Sequence, residues 1–351
     1  MSEKQNQHFV PQFYFRNFSI DKSSIAMLLK STGKVVPNVS IKKQASKDNF
    51  YGDLEVESKV TTYDSKHSSI IHSALREKPS QESVKGLVEA ACFQYLRTLS
   101  RRSEQAPLMD YLGDFLANQI DDWPDSEPGV PDEIIKELND TLRKSFKTIG
   151  EGKIPQTHDM FNVQEEVRKV DDLKSAILRN DTNVPFIFGD SPVVRFNPAL
   201  TDTMYDHTSP MHHGLVVFFP LSSKVGFIMY DANAYEFKSQ SKDEIHVTKK
   251  GDIDSLNKLQ VFNSSNSVYF EHISTKDYVS SIWESVFDSC PIEKSKLAFA
   301  EEITLDLVPT GRTVATIEKP QIQFACELSF LTAYTLSDFP LIPFRERFVD
   351  N

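Results

Sequence analysis

Apolar residues recur at helical spacing in several stretches of the chain. The best formed covers about 81–103, where Leu87, Ala91 and Tyr95 follow one stripe with Val84 and Val88 beside it. Ser80 and Ser83 offer capping chemistry at its start, and Lys78-Pro79 breaks the preceding helical pattern, which runs over about 56–76. Pro107 predicts the first turn of a further helix to about 122, and helices follow over about 132–149 and 162–179. Residues 122–129 hold two prolines, a glycine and three acids, the clearest loop in the chain. The pattern then changes to short apolar runs bounded by turn residues, at 184–188, 192–196, 215–219 and 225–230, which read as strands. Near the N-terminus, 24–29 and 34–41 form a hairpin candidate around Ser31-Thr32-Gly33. Two later stretches, 252–266 and 275–289, read as helices, and the tail from 297 is mixed.

Helices and strands are segregated along the chain, which predicts an α+β fold. We expect one mostly helical domain over 1–351 with a small antiparallel β cluster. The loop at 123–131 reads as a surface excursion or a sub-boundary. The 25 phenylalanines are most simply a Phe-rich core.

The 351 residues carry 39 Lys+Arg against 50 Asp+Glu, a formal net charge of −11. That balance argues against a general nucleic-acid coat, whose affinity comes mainly from neutralised phosphates, and leaves room for a local basic cleft. No run reaches the ~18 apolar residues that cross a bilayer, and the first seven residues are polar. We therefore expect a cytoplasmic protein without a membrane partner. Cys92, Cys290 and Cys326 are widely separated, with no Cys-x-x-Cys pair, and read as buried thiols. Nucleophile-elbow, P-loop, dinucleotide-binding and zinc-protease motifs are absent from the sequence, which removes those enzyme classes and leaves the cofactor unknown.

Several polar residues remain as candidates. In the stretch 81–103, Ala90, Gln94, Arg97 and Arg101 form a second stripe at i, i+4, i+7 and i+11, and two arginines one turn apart suit a phosphate or carboxylate. Their bland reading is a solvated face near a helix C-terminus. His8 precedes the helix that Pro11 opens, where the dipole favours a neutral imidazole fit to act as a general base; otherwise it caps the turn. Gln12 lies on the same segment. Asp190 follows the run 184–188, where a strand fixes a carboxylate's direction, although Asp-Ser-Pro also makes an ordinary turn. Asp190 with Glu236-Phe237-Lys238 has only the crude order of a metal nuclease. His207, His212, His213 and Asp206 suggest a metal weakly, since adjacent strand residues face opposite ways. We therefore assign no metal.

The opening segment also carries a resemblance. His8, Pro11, Tyr14, Arg16 and Phe18 match the His-x-x-Pro-x-x-Tyr-x-Arg-x-Phe opening of the bacterial 4238 family of domains of unknown function. Asn49-Phe50-Tyr51 resembles its aromatic stop before the first long helix, and Gln94 to Thr98 its Gln-x-x-Arg-Thr helix. Gly189 to Val194 resembles its Ser-Asp-x-Pro-Val turn, and Pro220-Leu221-Ser222 its Pro-Leu-Ser strand end. Gly189 departs from the family, which more often has Ser there. The resemblance spans about 8–270. It implies a bacterial or phage-related cytoplasmic protein, by analogy an effector of phage defence or a toxin system, and brings no established activity.

Taken together, these residues lead us to expect a polar pocket where the opening segment, the Gln94/Arg97 face and the Asp190 turn converge. It would bind an anionic, phosphate-bearing ligand, a nucleotide or nucleic acid. Gln12, Gln94, Arg97 and Arg101 would hold it, and His8 with Asp190 would supply acid–base chemistry in a nuclease-like or other hydrolytic effector. The rival is a non-enzymatic binding or regulatory module. There the same residues are buried fixtures and the acidic surface meets a protein partner.

Overall fold

The computed structural model describes residues 6–348 apart from 53, 121–128, 151, 199–207, 239–242, 291–294, 301–303, 306–307, 310–313, 319–325 and 335–343. The N-terminal part runs β1 (Asn6–His8), α1 (Gln12–Asn17), β2 (Ser24–Leu29), β3 (Val35–Ser40) and β4 (Ser46–Asp48). Helices follow: α2 (Leu54–Arg76), α3 (Gln81–Leu96), α4 (Leu99–Gln119), α5 (Asp132–Gly150), α6 (Lys153–Phe161) and α7 (Val163–Arg168). Then come β5 (Lys174–Asn180), β6 (Phe188–Gly189), β7 (Val194–Phe196), β8 (Val216–Pro220), β9 (Val225–Tyr230), β10 (Tyr235–Phe237) and β11 (Glu244–Val247). The element order closes on α8 (Lys250–Asn263), β12 (Ser267–Phe270), α9 (Lys276–Val286) and short strands in the tail. The class is α+β, as the segregation of elements predicts.

Three helix boundaries differ from the pattern. The expected helix over 81–103 is two helices, because Arg97 ends α3 and Thr98 starts α4, its hydroxyl accepting the Arg101 N–H at 3.2 Å. Pro107 lies inside α4 and does not start it. A proline there removes the N–H owed to the carbonyl four residues back. The Ser295 hydroxyl donates to that Ser103 carbonyl at 3.2 Å. Thirdly, the helical reading of 162–179 fails after Arg168: β5 is a strand at the heart of a sheet, since Ala176, Ile177 and Leu178 are buried on both faces.

Two sheets carry the β part, which is larger than expected. One has the order β11-β5-β9-β8-β7, with β11 and β5 parallel and the other pairs antiparallel. The other is antiparallel, in the order β3-β2-β12-β6. Both β8 and β9 are buried at every position, so the sheet is covered on both sides. The short α1 joins the two sheets through aromatic contacts. Tyr14 stacks on Phe219 of β8 at 5.3 Å, while Phe15 and Phe18 meet Phe188 of β6 at 5.1 and 4.5 Å. The expected Phe-rich core is concentrated at this seam.

A ladder of amides on α8 holds the extended segment 185–193 between the sheets. Asn257 accepts from the Ile187 N–H (3.0 Å) and donates to the Pro185 carbonyl (2.8 Å). Gln260 accepts from the Gly189 N–H (3.0 Å) and donates to the Pro192 carbonyl (2.8 Å). Asn263 donates to the Ser191 carbonyl at 2.6 Å. These side chains stand in for a neighbouring strand, so the residues expected as strand 184–188 are in regular pairing only at Phe188.

Candidate functional site

The opening segment is tied down from three directions. The β1 strand pairs with β4, His8 opposite Ser46. Gln94 of α3 donates to the Phe9 carbonyl at 2.9 Å, and Arg97 donates to the His8 carbonyl at 2.6 Å. The turn before α2 is bound to the same strand, with the Tyr51 N–H donating to the Gln7 side chain at 2.6 Å. Gly52, at φ +121°, lets the chain swing from this turn into α2, a geometry costly for any residue with a Cβ. Arg102 closes the arrangement by stacking on Phe50, its guanidinium carbon 3.7 Å from the ring centre, and donating to the Phe50 carbonyl.

Between this segment and α2 lies an open cleft of about 310 Å³. The opening segment contributes His8, Pro11, Gln12, Phe13 and Arg16. Glu57, Thr61, Asp64, Ser65 and Ser68 line it from α2, at a helical spacing that puts them on one face. Arg97 forms part of its floor.

Arg97 is 1% exposed and its donors are engaged. Its Nη1 pairs with Asp64, its Nε donates to the Tyr51 hydroxyl at 3.1 Å, and Nη2 takes the His8 carbonyl. Burial alone would weaken its hold on a proton, but Asp64 and Tyr51 outweigh it and keep the guanidinium charged. Burial also pushes the Tyr51 hydroxyl up to about 12. Arg97 therefore organises the cleft floor with its charge already paired by Asp64.

Two groups of the cleft are unspent. The Nε2 of His8 and one carboxyl oxygen of Glu57, Oε2, are buried without a hydrogen-bond partner. The His8 pKa lies below the ordinary histidine value because of burial and the positive charge of Arg97. Backbone groups at Lys42 and Ile41 and the charge of Asp64 pull the other way. Kept neutral, the ring has one bare nitrogen able to take a proton, and Nε2 has no partner in the fold to commit it. Glu57 is shifted upward by burial, with Asp64 adding to it and Arg97 opposing. The two shifts run in the directions that suit a general base and a general acid. At the rim, Arg16 is exposed and donates to the Gln12 side-chain carbonyl at 3.1 Å.

Of the residues singled out in the sequence, His8, Gln12 and Arg97 meet at this cleft. Gln94 lies just beneath, committed to the Phe9 carbonyl. Arg101 does not join them. The break at Arg97–Thr98 puts it on another helix, beside Tyr95 and 3.5 Å from Glu104, so the expected two-arginine fork does not form. Asp190 is also elsewhere. It is 2% exposed, and its carboxylate accepts the N–H groups of Ser265 (2.6 Å) and Asn266 (2.8 Å), pinning the turn after α8. Those partners lie 75 and 76 residues along the chain, so Asp190 is a long-range fixture and not the local Asp-Ser-Pro turn, and it contributes nothing to the cleft lining. The weaker metal reading of His207 and Asp206 falls outside the described residues. Among the described residues no group of three or more His, Cys, Asp or Glu side chains is gathered as a metal site.

Sequence reasoning missed Glu57 and Asp64. Their signal was the run Glu57, Thr61, Asp64, Ser65, Ser68, one polar stripe spanning twelve residues. Without knowledge of what faces it, such a stripe is indistinguishable from a solvated helix surface.

Among the described residues no helix is long and apolar enough to cross a membrane. A family model described as "Protein of unknown function (DUF4238)" matches residues 6–273. No curated protein and no solved structure matches the chain.

Proposed function

The chain belongs to the DUF4238 family of proteins of unknown function, and since that membership brings no activity with it, we propose one from the cleft: an acid–base site that hydrolyses a small phosphate-bearing ligand, a nucleotide or a nucleic-acid end. The observation that carries the reading is the pair of unspent buried atoms, His8 Nε2 and Glu57 Oε2, on residues lining one cleft. Buried polar atoms normally find partners, so two without them in one hollow mark places for ligand atoms.

In this reading Arg16 and Gln12 hold a phosphate at the rim. His8 Nε2 takes a proton from water as its oxygen attacks phosphorus. Glu57 gives its proton to the departing oxygen, and the products are an alcohol and a phosphate. Arg97, through Asp64 and the His8 carbonyl, is a positioning residue. A hydrolase of this kind suits an effector of phage defence or a toxin.

The test is hydrolysis of p-nitrophenyl phosphate and bis(p-nitrophenyl) phosphate, with calorimetric titration of inorganic phosphate and AMP. We expect turnover by the wild type and a loss of about 10²–10⁴-fold in His8→Ala and in Glu57→Gln, the usual worth of one acid–base group. Arg16→Ala should raise KM. Equal turnover in His8→Ala and wild type would overturn the reading, as would the absence of both turnover and phosphate binding. Overexpression in bacteria should be toxic for the wild type and harmless for His8→Ala.

One observation favours the non-enzymatic module: Gln94, Arg97 and Asp190 all bond to the protein's own main chain. Phosphate or AMP binding without turnover is the outcome that selects it.

A further inference from the structure

Behind the cleft, α2 and α3 enclose a second polar group. His67 is buried and its Nε2 lies 3.2 Å from a Glu89 carboxyl oxygen. The other Glu89 oxygen accepts from Gln164 at 3.0 Å, and Lys66, half exposed, caps the pair at 2.5 Å. The carboxylate is the acceptor, so the neutral ring carries its proton on Nε2 and keeps Nδ1 as an acceptor. Tyr63 and Phe93 flank the ring at 5.8 and 5.3 Å between centroids.

Between His67 and the cleft floor is a small hollow of about 10 Å³. Its lining includes His67, Gln94, Asp64 and Arg97, and it shares Asp64, Arg97, Pro11 and Phe13 with the cleft. A void of about this size holds one water, provided two or more polar groups surround it. Asp64, His67, Gln94 and Arg97 are polar residues of its lining.

We propose that this void holds one water bridging Asp64 and His67, so that Asp64, water, His67 and Glu89 form a proton path from the cleft floor to the protein surface at Lys66. A proton arriving on Asp64 passes to the water, which gives one of its own to His67 Nδ1. His67 releases the Nε2 proton to Glu89, and Glu89 passes it to solvent; the ring is left with its proton on Nδ1, and reversal of the tautomer resets it before the next proton. Asp64, Arg97, Glu89 and Lys66 are the charged groups that face the ring. Burial lowers the His67 pKa against the pull of Glu89, so the imidazolium is brief, as a relay requires. The path's use rests on the acid–base reading of the cleft, whereas the occupancy of the void does not.

Two measurements on the full chain test it. A crystal structure near ~1.5 Å resolution should show a water within about 3.2 Å of both the Asp64 carboxylate and a His67 ring nitrogen. Exchange of the His67 ring proton with solvent, followed by nitrogen-resolved NMR, should slow by about tenfold or more in Glu89→Gln, because an amide oxygen cannot carry off the proton that a carboxylate accepts. The amide keeps an acceptor for the ring, so the thermal midpoint should stay within about 2 °C, a shift below ~1 kcal/mol. A dry void, or unchanged exchange in Glu89→Gln, overturns the path and leaves the cleft reading intact. Equal turnover in His8→Ala overturns the cleft reading and leaves the water in place.

Discussion

Asp64 and Arg97 are paired across two helices, and they differ in exposure. The guanidinium is 1% exposed and the carboxylate 23%, because Asp64 borders the cleft while Arg97 lies under it. Removing the carboxylate strands a buried cation. Asp64→Asn should therefore cost about 3–5 kcal/mol, the usual penalty for breaking a buried pair. The double variant Arg97→Met, Asp64→Leu should recover part of that loss, since no charge is then left without a partner. Urea unfolding of the three variants decides it. A cost below ~1 kcal/mol for Asp64→Asn would class the pair with surface bridges and remove its organising role.

The lowered pKa values of His8 and His67 make stability depend on pH in one direction. Both rings are more reluctant to protonate in the folded chain than in the unfolded one, where the value is near 6.5. The unfolded state therefore binds more protons in this region, and stability falls as pH falls below about 6.5. The thermal midpoint should drop between pH 7.5 and 5.5 in the wild type and drop less in His67→Gln. Parallel curves for the two proteins would show that His67 does not titrate differently on folding. A proton-detected titration should place both rings below 6.5, and a His8 value at or above it would withdraw its role as a bare base.

Of these two histidines the sequence made only His8 legible. The aromatic density of 8–18, the polar residues on it and the α+β class could all be read from spacing. Strand β9 was bounded correctly because its apolar run stops sharply at turn residues on each side. The break after Arg97 was hidden, since Thr98 is an acceptable helix residue and acts here as a cap through a hydroxyl that a periodicity count ignores. β5 was hidden for a related reason: a strand buried on both faces loses the alternation that distinguishes it from a helix. The site itself was half legible. His8 lies on one segment, but what faces it depends on α2 folding back across β1, and nothing in the order of residues marks Glu57 and Asp64 as its neighbours.

The amide ladder of α8 should be the most sensitive part of the fold outside the site. Asn257 and Gln260 are fully buried, and each satisfies one N–H and one carbonyl of the segment 185–192. Truncation leaves two backbone groups without partners, at about 1–3 kcal/mol for each group. Asn257→Ala and Gln260→Ala should each lose about 2–5 kcal/mol in chemical denaturation. Neither residue lines the cleft, so the His8 titration should be unmoved in the folded variants. A shift in His8 would mean that the ladder and the cleft are coupled.

Gly189 makes the last prediction. Serine is a small polar replacement, yet the local geometry opposes it. A Cβ built on Gly189 would lie 2.7 Å from the Ser264 Cβ and 2.9 Å from the Gln260 carbonyl oxygen. The latter is backbone of α8, which the ladder holds in place, so the strain cannot be relieved by a rotamer change. Gly189→Ser should therefore destabilise the protein by about 1–3 kcal/mol, the range for overpacking a close contact. Ser264→Gly alone opens only the side-chain half of the clash, so the double variant should regain part of the loss and remain below wild type. Thermal unfolding of the single and double variants separates the contributions. Full recovery in the double variant would show that the Gln260 carbonyl yields, and a neutral Gly189→Ser would show that the helix and the strand do not approach as closely as 2.7 Å.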